Sequence, residues 1–218
     1  MPMTIGPPPA PPLVRRPLRV AVPVMAVAAV MGNVGRVVAW WRRIEWAPVL
    51  AYALPGVPAA ALGAHTLLAV PPRLVDGCLA VFFLAMVPLR RFAALGRLRL
   101  RHLAAAGAVV GFLTGLVLST GPLSVPVFSA YGLSGGAFLG SEAASALLLF
   151  ASKLATFVSA GALGTDVLLR GAVIGAALIA GSFVARRIVR DVSPRRFEVL
   201  VDAVLVVAAV SMCISAAR

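Results

Sequence analysis

The sequence predicts an all-α polytopic membrane protein with about seven transmembrane helices, one broken or re-entrant segment and an inverted internal repeat. Three observations predict it. The 218 residues are 61% apolar and only 12% charged, against about 45–50% and about 25% in an ordinary soluble domain. The mean hydropathy is +1.01, and a soluble fold of this size has too little interior for so many Ala, Val and Leu side chains. The formal charge of +13 gathers between the apolar stretches, as charge that orients helices does. A soluble domain, a disulfide scaffold and a disordered chain are excluded. The basic charge is assigned to the lipid bilayer and to topology, not to nucleic acid.

The elements follow from apolar runs of about 20 residues, the length that crosses a bilayer core. Residues 1–19, MPMTIGPPPAPPLVRRPLR, are Pro-rich and predict a flexible, non-helical tail. Residues 20–218 form one transmembrane domain, with spans at about 20–40, 47–70, 74–89, 103–119, 136–163, 167–185 and 198–216. The stretch TGPLSVPVFSAYGLS at 120–134 fits none of these. It is apolar and uncharged, too short to span, and interrupted by Gly121, Pro122, Pro126 and Gly132. Irregular backbone persists at membrane depth only where protein or a cavity surrounds it, so this stretch is expected to be a broken or re-entrant helix.

Arginine sets the sidedness. One loop carries Arg36, Arg42 and Arg43; a second carries Arg90, Arg91, Arg97, Arg99 and Arg101; a third carries Arg186, Arg187, Arg190, Arg195 and Arg196. The positive-inside rule places all three in the cytoplasm. The count of crossings then closes only if 120–134 contributes one. Arg15, Arg16 and Arg19 fall on the outer side, against the rule.

Residues about 20–91 and about 102–218 resemble each other at an offset of about 120 residues. Both halves read helix, loop, Gly/Ala-rich helix, Pro-containing loop, helix. Arg precedes the Gly/Ala helix in the first half and follows it in the second, as an inverted repeat requires. The first half has no counterpart to the broken segment, and the chain reads as lacking its first pair of elements. The Gly/Ala runs 56–64 and 171–181 are expected to be close-packing surfaces.

Charges inside spans mark the candidate site. Glu142 and Lys153, the one lysine, lie eleven residues apart on the fifth span and share a face with Ser145 and Thr156. A lysine at membrane depth can neutralise an anion, and a carboxylate there can take up and release a proton. Asn33 falls opposite Lys153 in the repeat alignment. Ser119, Thr120, Gly121, Pro122, Ser124 and Pro126 form the second group. A helix starting there offers free N–H groups and a positive dipole end to an oxyanion, and the hydroxyls add neutral donors. Cys78, Cys213, His65 and His102 are isolated, so no metal site, no cofactor and no nucleophile–base pair is expected.

The stretch GFLTGLVLSTGPLSVPVFSAYGLSGGAFLGSEAASALLLFASKLATFVSAGAL resembles the second-half signature of the TauE/SafE family of sulfite and organosulfur anion exporters. GAVIGAALIAGSFVARRIVRDVSPRRF resembles its Gly-rich helix and Arg-bearing loop, and GNVGRVVAWWRRIEW fits the first half. Ser119-Thr120-Gly121 stands where the family has a glycine cluster, and the amino-terminal half-site has no counterpart. The resemblance implies a multi-pass exporter of a small anion, such as sulfite or a sulfonate, in the inner (cytoplasmic) membrane, driven by protons and not an enzyme. The missing elements leave room for a homo-oligomer, for a partner that supplies the absent half-site, or for a non-transporting accessory subunit.

Overall fold

The computed structural model describes residues 16–69, 98–116 and 121–190. They form six helices: α1 Arg16–Trp40, α2 Trp46–Ala69, α3 Leu100–Leu116, α4 Gly121–Tyr131, α5 Gly135–Ser159 and α6 Thr165–Arg190, with a 3-10 turn at Trp41–Arg43. Four helical stretches are long and apolar enough to cross a membrane: Ala21–Arg43, Trp46–Ala69, Gly135–Ser159 and Thr165–Arg187. The chain is a polytopic membrane protein, all-helical among the described residues. The expected spans at 74–89 and 198–216, with Cys78 and Cys213, lie outside the described residues.

One boundary is corrected. The Pro-rich tail was expected to run to residue 19, but α1 begins at Arg16. Pro17 then sits in the first turn, where its missing N–H has no partner to lose and its fixed φ already suits a helix.

Helix directions follow from the contacts. A Cβ on Gly35 would lie 2.9 Å from the Ile179 backbone, and one on Gly171 would strike Val27, so α1 and α6 run parallel. Gly107 packs on Tyr52, and Gly111 on Gly56, so α2 and α3 also run parallel. Gly140 meets Trp40 at one end of α5, while Phe157 clusters with Val22 at the other, so α5 runs against α1. At the offset of the internal repeat, α1 corresponds to α5 and α2 to α6. Each pair points in opposite directions, the reversal an inverted repeat demands.

Close approach depends on small residues. On α3, Gly107, Gly111 and Gly115 recur every fourth position and form one stripe. A Cβ on Gly107 would overlap the Tyr52 carbonyl oxygen, and one on Gly115 would overlap the Ala60 carbonyl. Without a hydrophobic force between helices in lipid, such backbone-to-backbone packing supplies the association. The runs 56–64 and 171–181 act as expected, Gly56 and Gly63 against α3, Gly171 and Gly175 against α1. The α3 stripe is an additional surface of the same kind.

The broken segment is the helix α4. Its 11 residues reach about 16 Å at 1.5 Å per residue, far short of a core of about 30 Å. Its carboxyl end returns to the start of α3, where the Leu98 N–H donates to the Ala130 carbonyl at 3.1 Å. It stops at Gly132, whose φ of +104° suits the residue that follows a helix. The Gly132 N–H donates to Ser129 O at 2.9 Å and the Leu133 N–H to Phe128 O at 3.3 Å, the paired bonds of a Schellman turn. Leu133 and Phe128 meet in the main apolar cluster, as that turn favours. Since α4 returns to the side from which α3 started, α5 begins there. The return to the arginine-bearing side that the charge pattern required is thus made at α4.

The ends bearing Arg42 and Arg43, Arg99 and Arg101, and Arg186 and Arg187 consequently share one side, which the positive-inside rule assigns to the cytoplasm. The edge-on stack of Trp41 on Trp46, with ring centroids 5.9 Å apart, braces the turn there.

The α2–α3 contact allows a direct check. Gly107→Ala is expected to destabilise the detergent-solubilised protein by about 1–3 kcal/mol through overpacking. Gly181→Ala, with nothing within 4 Å of the added carbon, is expected to be neutral or stabilising by up to about 1 kcal/mol. Equal melting temperatures for the two variants would contradict this packing.

Candidate functional site

A buried polar cluster joins α1, α4 and α5. Glu142, in the second turn of α5, has a side chain only 4% exposed. Both its oxygens accept: Oε2 from Arg36 Nη1 at 2.6 Å, and Oε1 from Ser124 Oγ at 2.7 Å. Arg36 Nη2 also donates to Asn33 Oδ1 one turn earlier on α1. Asn33 Nδ2 donates to the Ala29 carbonyl at 2.8 Å, which fixes its oxygen toward the arginine. Next to Glu142, Ser141 Oγ accepts the Glu45 backbone N–H at 2.8 Å and ties the α1–α2 turn to α5.

A carboxylate at membrane depth costs about 2.5–3.5 kcal/mol on insertion scales. It is tolerated here because a guanidinium and a hydroxyl saturate it. The Arg36 side chain keeps 34% of its surface exposed, and it lines a cavity together with Glu142.

That cavity has a volume of about 360 Å³. On α1, Met25, Ala29, Gly32, Asn33 and Arg36 line it, spaced to occupy one face. Gly121 and Ser124 bring the amino end of α4 to its wall, and Tyr52, Thr114 and Phe150 close other sides. Among the described lining residues, the charges are those of Arg36 and Glu142. The arrangement can hold a small anion: a partly open guanidinium, an amide, a hydroxyl and a helix start converge on a mostly apolar chamber.

A family model described as Sulfite exporter TauE/SafE matches residues 8–212. The chain belongs to the TauE/SafE family. No curated protein and no solved structure matches the chain. TauE/SafE proteins are membrane transporters, which agrees with the apolar helices and the polar chamber between them.

Of the residues that the sequence singled out in this family member, the fold brings Asn33, Gly121, Ser124 and Glu142 to one cavity. Ser119 and Thr120 lie outside the described residues, as does the side chain of Pro122. Pro126 is half-buried inside α4 and does not line the cavity. Ser145 is fully buried beside it, and its hydroxyl has no hydrogen-bond partner among the described residues.

Lys153 shares the inward face of α5 with Glu142, as its spacing predicts. It stands behind the cavity wall. Its Nζ donates to the Thr114 carbonyl at 2.8 Å and lies 6.0 Å and 5.7 Å from the ring centroids of Phe150 and Phe157. Thr114 and Phe150 line the cavity on their other sides.

Arg36 and Tyr52 are among the lining residues that the sequence did not single out. Arg36 was grouped with Arg42 and Arg43 as loop charge, but it lies inside α1 and pairs with Glu142. Its spacing of three from Asn33 was the available signal, because both then face the same way. Tyr52 also lines the cavity, its ring 5.1 Å from Phe128. No local pattern distinguishes it from an apolar core residue.

The pair is expected to behave as one unit. Arg36→Ala strands a buried carboxylate and is expected to cost about 3–5 kcal/mol. Arg36→Ala combined with Glu142→Ala is expected to be less damaging than the sum, with a coupling of about 1–3 kcal/mol in a thermal double-mutant cycle. Strict additivity would contradict the pair.

Proposed function

We propose that the protein exports a small sulfur oxyanion, sulfite or a short sulfonate, across the cytoplasmic membrane, with proton coupling through Glu142. The observation that carries this reading is the partly open guanidinium of Arg36 at a chamber of about 360 Å³, in a chain of the sulfite exporter family. Arg36 supplies the counter-charge in a fork that matches two oxygens of a pyramidal or tetrahedral oxyanion. Gly121 and Ser124 bring the positive end of α4 to the same wall. Lys153 stands behind Thr114 and Phe150, without touching the anion in this conformation. Met25, Leu149 and Phe150 give the chamber an apolar side, against which the organic end of a sulfonate fits.

The inverted helix pairs fit alternating access, one half rocking against the other around a site between them. Arg36 and Asn33 come from the first half, Ser124 and Glu142 from the second, so the site spans the joint that must move.

Proteoliposomes loaded with labelled sulfite test the reading. The parent protein is expected to release the label, and the rate to depend on a pH gradient. Arg36→Gln is expected to lower flux at least about tenfold, the equivalent of about 1.4 kcal/mol, and Arg36→Lys to retain part of it. Lys153→Met is expected to lower flux by less than Arg36→Gln. Full flux with Arg36→Gln, or a larger loss with Lys153→Met, would move the anion away from Arg36.

A further inference from the structure

The cation that an incoming anion would use is already neutralised. Arg36 Nη1 donates to Glu142 Oε2 at 2.6 Å, and its other terminal nitrogen is held by Asn33. The second carboxylate oxygen accepts from Ser124 at 2.7 Å. Among the described lining residues the two charges cancel. The other described groups leave that balance unchanged. Tyr52 faces the cavity from α2 as a neutral phenol, and α3 and α6 present Thr114 and Ser182. On α5, Lys153 is turned to the Thr114 carbonyl. Glu45 reaches α5 through its backbone N–H, which donates to Ser141.

An anion that took Arg36 from Glu142 would strand an ionised carboxylate in a poorly solvated site beside a second negative charge. A proton on Glu142 removes that obstacle. The neutral carboxyl still accepts from Ser124, and Arg36 is released to the anion with its charge uncompensated.

We propose that the proton and the anion occupy the site together and cross together, one proton on Glu142 for each anion on Arg36. This rests on the anion-export reading above and gives its coupling a sense: cotransport, in which the gradient of the anion and not that of the proton supplies the drive. The proton comes from the medium on the side where the anion binds and adds to a Glu142 oxygen as the Arg36–Glu142 bond opens. On the far side the anion leaves, the proton returns to the medium, and the ion pair re-forms. A monoanion crosses with no net charge. A dianion such as fully ionised sulfite carries one negative charge outward, which an inside-negative membrane potential favours.

Sulfite affinity, measured for the purified full-length protein and for Glu142→Gln between about pH 6 and about pH 8, tests this directly. Sulfite ionises alike in both samples, so the ratio of the two affinities isolates Glu142. Glutamine keeps the neutral form at every pH. The variant is expected to bind at least about tenfold more tightly than the parent at about pH 8, and the ratio to fall toward one as the pH falls. Ser124→Ala is the second variant. It removes the donor to Oε1 and is expected to move the parent's pH dependence to higher pH. It carries the test alone if Glu142→Gln does not fold. Affinities of Glu142→Gln equal to or weaker than the parent's at every pH, or an unmoved profile for Ser124→Ala, would overturn the cotransport proposal. Absence of sulfite binding to the parent at any pH would instead overturn the anion reading on which it rests.

Discussion

A carboxylate buried between membrane helices needs a cation and donors for both oxygens, and the site is organised around meeting that need for Glu142. Arg36 answers from α1 and Ser124 from α4. The three helices are separated in sequence by up to 106 positions, so these bonds join parts of the chain that no local force brings together. Removing Arg36 leaves a charge that the surrounding apolar side chains cannot solvate. The same bonds leave one side of the guanidinium open to the cavity. Structural tie and candidate binding group are therefore one residue pair.

Two packing devices place that pair. Glycine stripes on α3 and α6 bring their backbones against α2 and α1 at distances that a methyl group would prevent. The short α4 turns back at its Schellman motif, so its amino end stops at the cavity wall and leaves α5 to start at the arginine-bearing side. The Gly and Pro residues of the segment are thus topological as well as local: they set where the helix begins and ends.

Much of this was legible in the chain. Long apolar runs fix the number of candidate spans, and charge placement fixes which ends share a side. The broken segment was visible because four Gly and Pro residues interrupt an uncharged stretch, and Glu142 because a carboxylate inside a span is rare. Arg36 was hidden by its neighbours: three arginines within eight positions read as one loop cluster, though the helix continues to Trp40. Lys153 was equally conspicuous, yet the fold turns it to a backbone carbonyl behind the wall, an outcome set by how α3 packs on α5. Tyr52 and the contact of α1 with α5 depend on long-range packing and leave no periodic trace.

The central claim is that a small oxyanion sits against Arg36, between the two inverted halves. Selenite has the pyramidal shape of sulfite and contains an atom that anomalous X-ray scattering locates directly. Crystals grown with selenite under mildly acidic conditions should show one strong selenium peak in the cavity, within hydrogen-bonding reach of the Arg36 guanidinium, with Glu142 no longer paired to it. Selenium found at Lys153 or at the arginine-rich ends, with the cavity empty and the Arg36–Glu142 bond intact, would contradict the account.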